Sequence, residues 1–181
     1  TGIASGVQLG FVKVLNDSGY GSWDWVTNGI LKAVHKVREI KVQNPKAQFI
    51  MNFSLGGIGE VPSVQAALQS AISEGIIIVA SAGNSRMNID DVPFFPATVP
   101  GVIAVAATDK EDRLAWFSNY GVEHSVIPAP GIDIISTVPY EAVLGDKSGY
   151  RLMSGTSMAA PEVVGAIAHA MIERRLTPEQ A

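Results

Sequence analysis

Ile76-Ile77-Ile78-Val79-Ala80, followed at once by Ser81-Ala82-Gly83-Asn84-Ser85, decides the architecture of this chain. Four β-branched residues in succession favour an extended strand. With no polar residue on either alternating face, that strand must be covered on both sides, the usual condition inside a parallel sheet. The run is entered from a helical pattern, with Val64, Ala67, Leu68, Ala71 and Ile72 on one face and Gly75 as its stop. It leaves into a glycine-containing loop.

The same alternation repeats outward from there. Phe49–Phe53 reads as a second buried strand, ending in the loop Ser54-Leu55-Gly56-Gly57, and Val102–Ala106 reads as another. Nearer the start, Val12–Leu15 is expected as a strand, followed by the glycine-rich loop Asn16–Gly21. A helix should then run from Ser22 to about Arg38, with Val26, Ile30, Ala33, Val34 and Val37 spaced by threes and fours. Residues Ala115–Tyr150, richer in Gly and Pro, predict irregular loops and short strands. The final helix is expected from about Ser157 to Arg175, with Pro161 near its start, where a missing N–H matters little. Strands alternating with helices predict an α/β fold with a mostly parallel sheet, as a single domain over residues 1–181.

Composition excludes several classes. The chain has 181 residues, 47% of them hydrophobic and 17% charged, which is enough to bury a core and unlike a disordered segment. A net charge of −4 and the absence of a basic stripe argue against nucleic acid. Ile76–Ala80 is far too short to cross a bilayer, so no membrane partner is expected. With no cysteine there is no disulfide scaffold and no thiolate metal site. The opening Thr1-Gly2-Ile3-Ala4-Ser5-Gly6 reads as a processed or excised N-terminus.

Chemistry concentrates in Ser154-Gly155-Thr156-Ser157-Met158-Ala159-Ala160-Pro161. A serine among small residues where a turn becomes a helix is suited to nucleophilic attack, because the helix start offers free N–H groups to a developing anion. Taken alone, Thr156 and Ser157 are far more often simple helix caps. Asn84 after Gly83 likewise fits ordinary turn chemistry. Gly19-Tyr20-Gly21 fits plain loop punctuation as well as it fits a site.

Taken together, Asn52-Phe53-Ser54-Leu55-Gly56-Gly57, Ala80-Ser81-Ala82-Gly83-Asn84 and the Ser157 octapeptide resemble, in order and spacing, the subtilisin-like serine proteases. Weaker similarity at Val12–Leu15, Asn28-Gly29-Ile30, Phe95-Pro96-Ala97, Val102–Val105 and Ala129-Pro130-Gly131 extends it over nearly the whole chain. The resemblance implies a three-layer subtilisin-like fold and a serine endopeptidase. Ser157 would be the nucleophile, and Asn84 with the Ser157 backbone N–H would stabilise the oxyanion. Losing one such donor lowers kcat about 10²–10³-fold, a magnitude that comes from this same family. Gly19, Tyr20 and Gly21 on one side, and Ser54, Leu55, Gly56 and Gly57 on the other, would hold a substrate peptide as an added strand. Ser81, Ala82, Gly83 and Thr156 would complete the substrate-binding set. Trp23 and Val26 either shape a deeper pocket or belong to the core. One departure stands out: Glu162 follows Pro161 where the family usually has His.

The family's catalytic His and Asp motifs lie upstream of the region this chain covers. His35 sits in a helical pattern, His124 in a loop, and His169 twelve residues after Ser157 on the same helix, so none is placed as a base. Asp17-Ser18-Gly19 mimics the Asp motif but belongs to the substrate-edge segment. The resemblance also implies that the Asp-bearing strand lies between Val12–Leu15 and Phe49–Phe53, so the sheet should be incomplete. The expected remedy is a separate N-terminal fragment of the same protease, carrying both residues, which makes this chain inactive alone. Other expected partners are peptide or protein substrates and a propeptide or inhibitor in the cleft. A secreted or extracytoplasmic location follows from the resemblance only. No cofactor and no metal ligand set is expected in this chain, calcium being left to the complete enzyme. A cation held near Ala97, Val99 and Asp109 is weaker than the reading of Asp109 as a turn residue. The alternatives are a peptide-binding pseudoprotease lacking a base, and an α/β-hydrolase, which the absence of an Asp after Ser157 opposes.

Overall fold

In the computed structural model the described residues are 2–124, 126–138, 148–174 and 178. Four parallel strands form the central sheet: β1 (Phe49–Phe53), β3 (Ile76–Ser81), β5 (Val102–Thr108) and β6 (Val126–Pro130), side by side in that order. β1 and β3 run in register from Phe49 opposite Ile76 to Phe53 opposite Ala80. Two small antiparallel pairs flank the sheet. β2 (Gly57–Ile58) pairs with β4 (Phe94–Phe95), and β7 (Ile134–Thr137) pairs with β8 (Tyr150–Met153).

Three helices complete the layers. α1 (Trp23–Gln43) starts where Ser22 Oγ accepts the Trp25 N–H at 3.2 Å, an N-cap with Asp24 in the first turn. It runs about one turn beyond the expected end at Arg38 and stops at Asn44. α2 (Pro62–Ser73) opens on proline, whose fixed φ suits a first helical position. It ends at Gly75, whose φ of 72° is the left-handed turn that glycine adopts readily. α3 (Thr156–Arg174) carries Pro161 inside its early turns. The expected last residue, Arg175, lies outside the described residues.

Strand alternation sorts the core into two layers. Ile76, Ile78, Ala80, Val102 and Ala104 face α1 and α2, where Val26, Ile30, Val34, Val64 and Leu68 are buried. Val79, Val105 and Ala107 face the opposite way, onto Ala159, Ala160, Val163 and Ile167 of α3. The sheet is thus covered on both faces, as the uninterrupted β-branched run requires. The result is the three-layer α/β arrangement expected.

One expected element is absent. Residues Val12–Leu15 are extended but are not part of any strand, and among the described residues no backbone hydrogen bond joins residues 7–15 to another segment. A strand exists only by pairing, and Val14 instead packs onto Gly29 of α1. On the side away from β3, β1 has no neighbour among the described residues.

Candidate active site

Ser157 is the second residue of α3, reached through β8 and the turn at Ser154-Gly155. That turn is tied down on both sides. The Gly155 N–H donates to Gly131 O at 2.8 Å, and Ser154 Oγ accepts the Asp133 N–H at 2.9 Å. At the helix start, Met158 and Ala159 N–H both reach Gly155 O, while Thr156 N–H goes to Asn84 Oδ1 at 2.9 Å. The Ser157 N–H is left without a partner among the described residues.

Asn84 arrives from the other side, on the loop after β3. Its Oδ1 accepts twice from Thr156, from the backbone N–H and from Oγ1, each at 2.9 Å. The same Thr156 hydroxyl accepts the Gly83 N–H at 3.2 Å. With its oxygen held in this way, Asn84 has its Nδ2 free to donate. A methyl group built on Gly155 would lie 3.5 Å from Asn84 Nδ2 and 3.7 Å from Ser157 N. Two donors without a partner among the described residues therefore lie within 4 Å of one point beside Gly155, at the positive end of α3.

Ser157 and Ser54 exchange bonds. Ser54 Oγ donates to Ser157 O at 2.8 Å, and Ser157 Oγ donates to Ser54 O over a longer 3.4 Å. Asn52 Nδ2 donates to Ser54 Oγ at 3.0 Å, which completes a chain of contacts from β1 to the serine. Gly56 is exposed on one side, while a Cβ on its other side would meet Phe94 and the carbonyl of Phe95, 2.6 Å away. Gly57 lies against Trp23, with Cζ2 at 3.1 Å from the site of its absent Cβ.

The other expected substrate-binding residues are placed variously. Ser54 and Gly56 are exposed and Leu55 half-buried, along a segment leading away from Ser157. Ser81, Ala82 and Gly83 are buried, with Ala82 N–H on Val105 O and Gly83 O accepting from Asn119. Gly19, Tyr20 and Gly21 form a self-contained turn, in which Asn16 Oδ1 accepts the Ser18 and Tyr20 N–H groups. No hydrogen bond joins that turn to Ser157 among the described residues. Val26 is core, and Trp23 packs against that core.

None of the three histidines hydrogen-bonds to Ser157. His35 faces Glu39 at 3.3 Å, His169 faces Glu173 at 3.4 Å, and His124 stands 4.0 Å from Asp90. Asp17 is exposed and held by Lys13 at 2.9 Å, a pairing that lowers its carboxyl pKa. Asp109 is taken up by its own turn, accepting the Glu111 and Arg113 N–H groups and the Arg113 guanidinium. No cluster of three metal-ligating side chains occurs among the described residues. Burial pushes the Glu162 carboxyl pKa up.

Two residues beside the site escape sequence reasoning. Ser118 and Asn119 are wholly buried and tie the Asn84 loop to β5. They look like loop polarity in sequence, and their partners in β5 and the Asn84 loop lie more than ten residues away.

Comparison with known proteins assigns the chain to a family. The Subtilase family model fits residues 1–181. An intracellular serine protease from Paenibacillus polymyxa is 38% identical over 184 residues, covering 97% of this chain and 51% of the relative. Subtilisin DY from Bacillus licheniformis is 37% identical, over 92% of this chain and 55% of the relative. Among solved structures, a cold-adapted subtilisin-like serine proteinase superposes with TM-score 0.72 at 34% identity, covering 93% of this chain and 55% of its own. Sphericase gives TM-score 0.76 at 31% identity, covering 92% and 55%. The chain thus spans about half the length of the relatives it matches. A relative named as intracellular means that family membership does not itself imply secretion, and no described helix is long and apolar enough to cross a membrane. With its parallel sheet, its serine at a helix start and its full-length match, this chain belongs to the subtilase family of serine proteases.

Proposed function

We propose that this chain supplies the nucleophile, the oxyanion donors and much of the substrate cleft of a subtilisin-type serine endopeptidase. The catalytic His and Asp come from a separate N-terminal chain or fragment of the same protease. The observation that carries this reading is the approach of Asn84 Nδ2 and Ser157 N to one point beside Gly155, at 3.5 and 3.7 Å, with Asn84 Oδ1 held by Thr156. In the complete enzyme the imidazole takes the Ser157 hydroxyl proton as Oγ attacks the scissile carbonyl. The carbonyl oxygen becomes an anion facing the two donors. The imidazole then returns the proton to the leaving amine, and water hydrolyses the acyl-enzyme by the reverse sequence. A substrate peptide lies along Ser54–Gly57, with a propeptide or inhibitor as a competitor for the same strand position.

Three features support a missing partner. Among the described residues, β1 has no strand on the side away from β3, and no backbone hydrogen bond joins residues 7–15 to another segment. Phe11 is 90% exposed beside a cleft of about 740 Å³ that runs along α1 past Trp25 and Gly29. Such a strand edge and apolar segment call for cover. An extracytoplasmic location is the reading we attach to the whole enzyme, and fractionation of the producing cells tests it.

The test uses a serine-directed fluorophosphonate on the natively purified protein, followed by denaturing mass spectrometry. A second polypeptide together with label on Ser157 is the expected result. A folded assembly that binds peptide but stays unlabelled supports the pseudoprotease instead. A folded, monomeric sample of the 19.1 kDa chain alone would contradict the need for a partner.

A further inference from the structure

Asn119 lies in the loop after β5 with 0% of its surface exposed. Both polar atoms of its side chain are bonded. Oδ1 accepts the N–H groups of Ser85 at 2.9 Å and Met87 at 3.0 Å, and Nδ2 donates to Ala82 O at 2.8 Å. Its backbone N–H donates to Gly83 O at 2.9 Å. Two of these bonds grip the chain just before Asn84 and two just after it, while none goes to Asn84 itself. The amide can sit only one way round, because a flipped group would set donors against two N–H groups and an oxygen against a carbonyl. Asn119 is itself anchored to the sheet. Ser118 Oγ accepts the Ala107 N–H of β5 at 2.9 Å and donates to Asn119 O at 2.8 Å.

A donor that stabilises a transient charge must already be aimed when the charge appears, because reorganising during the reaction forfeits the gain. Asn84 is exposed and sits on a loop, so its aim depends on the stiffness of the backbone at Ala82–Met87. Thr156 fixes the head of Asn84, and Asn119 fixes the base on which it stands. We propose that Asn119 is a positioning residue of the oxyanion site, acting on catalysis through Asn84. This rests on the proteolytic reading above.

The experiment is a double-mutant cycle in the complete protease, with rates normalised to sites titrated by fluorophosphonate. Asn84→Ala should lower kcat about 10²–10³-fold, and Asn119→Ala about tenfold or more with KM changed less than about twofold. If Asn119 acts through Asn84, adding Asn119→Ala to Asn84→Ala lowers kcat no further. Ser118→Ala leaves the Asn119 side chain in place but removes its tie to β5, so its loss should be smaller; it serves the same cycle if the alanine variant does not fold. An Asn119 variant with a lower melting temperature and unchanged kcat would overturn the proposal, and so would equal losses with and without Asn84. A parent enzyme that neither labels nor cleaves overturns the proteolytic reading and this one together. A labelled, active parent confines any failure to Asn119.

Discussion

Thr156 shows how one buried hydroxyl can serve two purposes. It donates to Asn84 Oδ1 and accepts the Gly83 N–H, so its single hydrogen and a lone pair are both spent inside the protein. Thr156→Val keeps the shape and the backbone bond but leaves Gly83 N–H and Asn84 Oδ1 each one partner short. The expected loss is about 1–3 kcal/mol of stability, seen as a lower denaturation midpoint, with Thr156→Ser recovering most of it. Asp90 gives a second prediction at this scale. It accepts the Val122 and Glu123 N–H groups at 2.7 and 3.2 Å, and these backbone bonds hold its carboxyl pKa below the usual 3.8. A depressed pKa means stability that is fully present above the ordinary carboxylate value and lost as pH falls through the lower, folded one. Asp90→Asn should therefore flatten the acid limb of a thermal-stability profile below about pH 4, leaving its slope near neutrality unchanged. A variant as acid-sensitive as the parent would assign that limb to other carboxylates. Ser157 and Asn84 could be singled out from sequence because each sits in a short local run. Asn119 could not, because its partners at 82, 85 and 87 are brought to it only by the pairing of β3 with β5.

Elements meet closely where Gly131 passes beneath the start of α3. A Cβ there would lie 3.0 Å from Gly155 O and 3.2 Å from Ala107 Cα, backbone on both sides and unable to swing away. Gly131→Ala should destabilise by about 1–3 kcal/mol and move the turn that presents Ser157. Calorimetry reads the first effect and the rate of fluorophosphonate labelling the second; an unchanged rate would mean that the turn moves as a unit. β3 and β5 were legible in sequence because buried parallel strands leave an unbroken apolar run. α1 was legible from its stripe, although its last turn past Arg38 was not, since capping at Asn44 rather than apolar spacing sets that end. Val12–Leu15 carries strand composition and forms no strand. Propensity describes a residue, whereas pairing needs a second chain segment at the right distance.

At the scale of the whole molecule, the sheet ends in β1 on one side and β6 on the other, and α3 packs against both. On the side away from β3, β1 has no strand beyond it among the described residues. Hydrogen exchange should find alternate amides of Phe49–Phe53 poorly protected in the isolated chain and protected once the proposed N-terminal part is bound. Equal protection in both states would mean that the edge is already covered.

That open edge is also a seam. In the proposed enzyme, the groups that recognise a peptide and steady its charged intermediate lie on this side, on β1, the loop after β3 and the start of α3, while proton transfer would enter from across it. Base-bearing parts from different subtilases could then be exchanged against one and the same cleft, giving enzymes of mixed parentage. The pairings that fail would identify which side chains along β1 distinguish one partner from another.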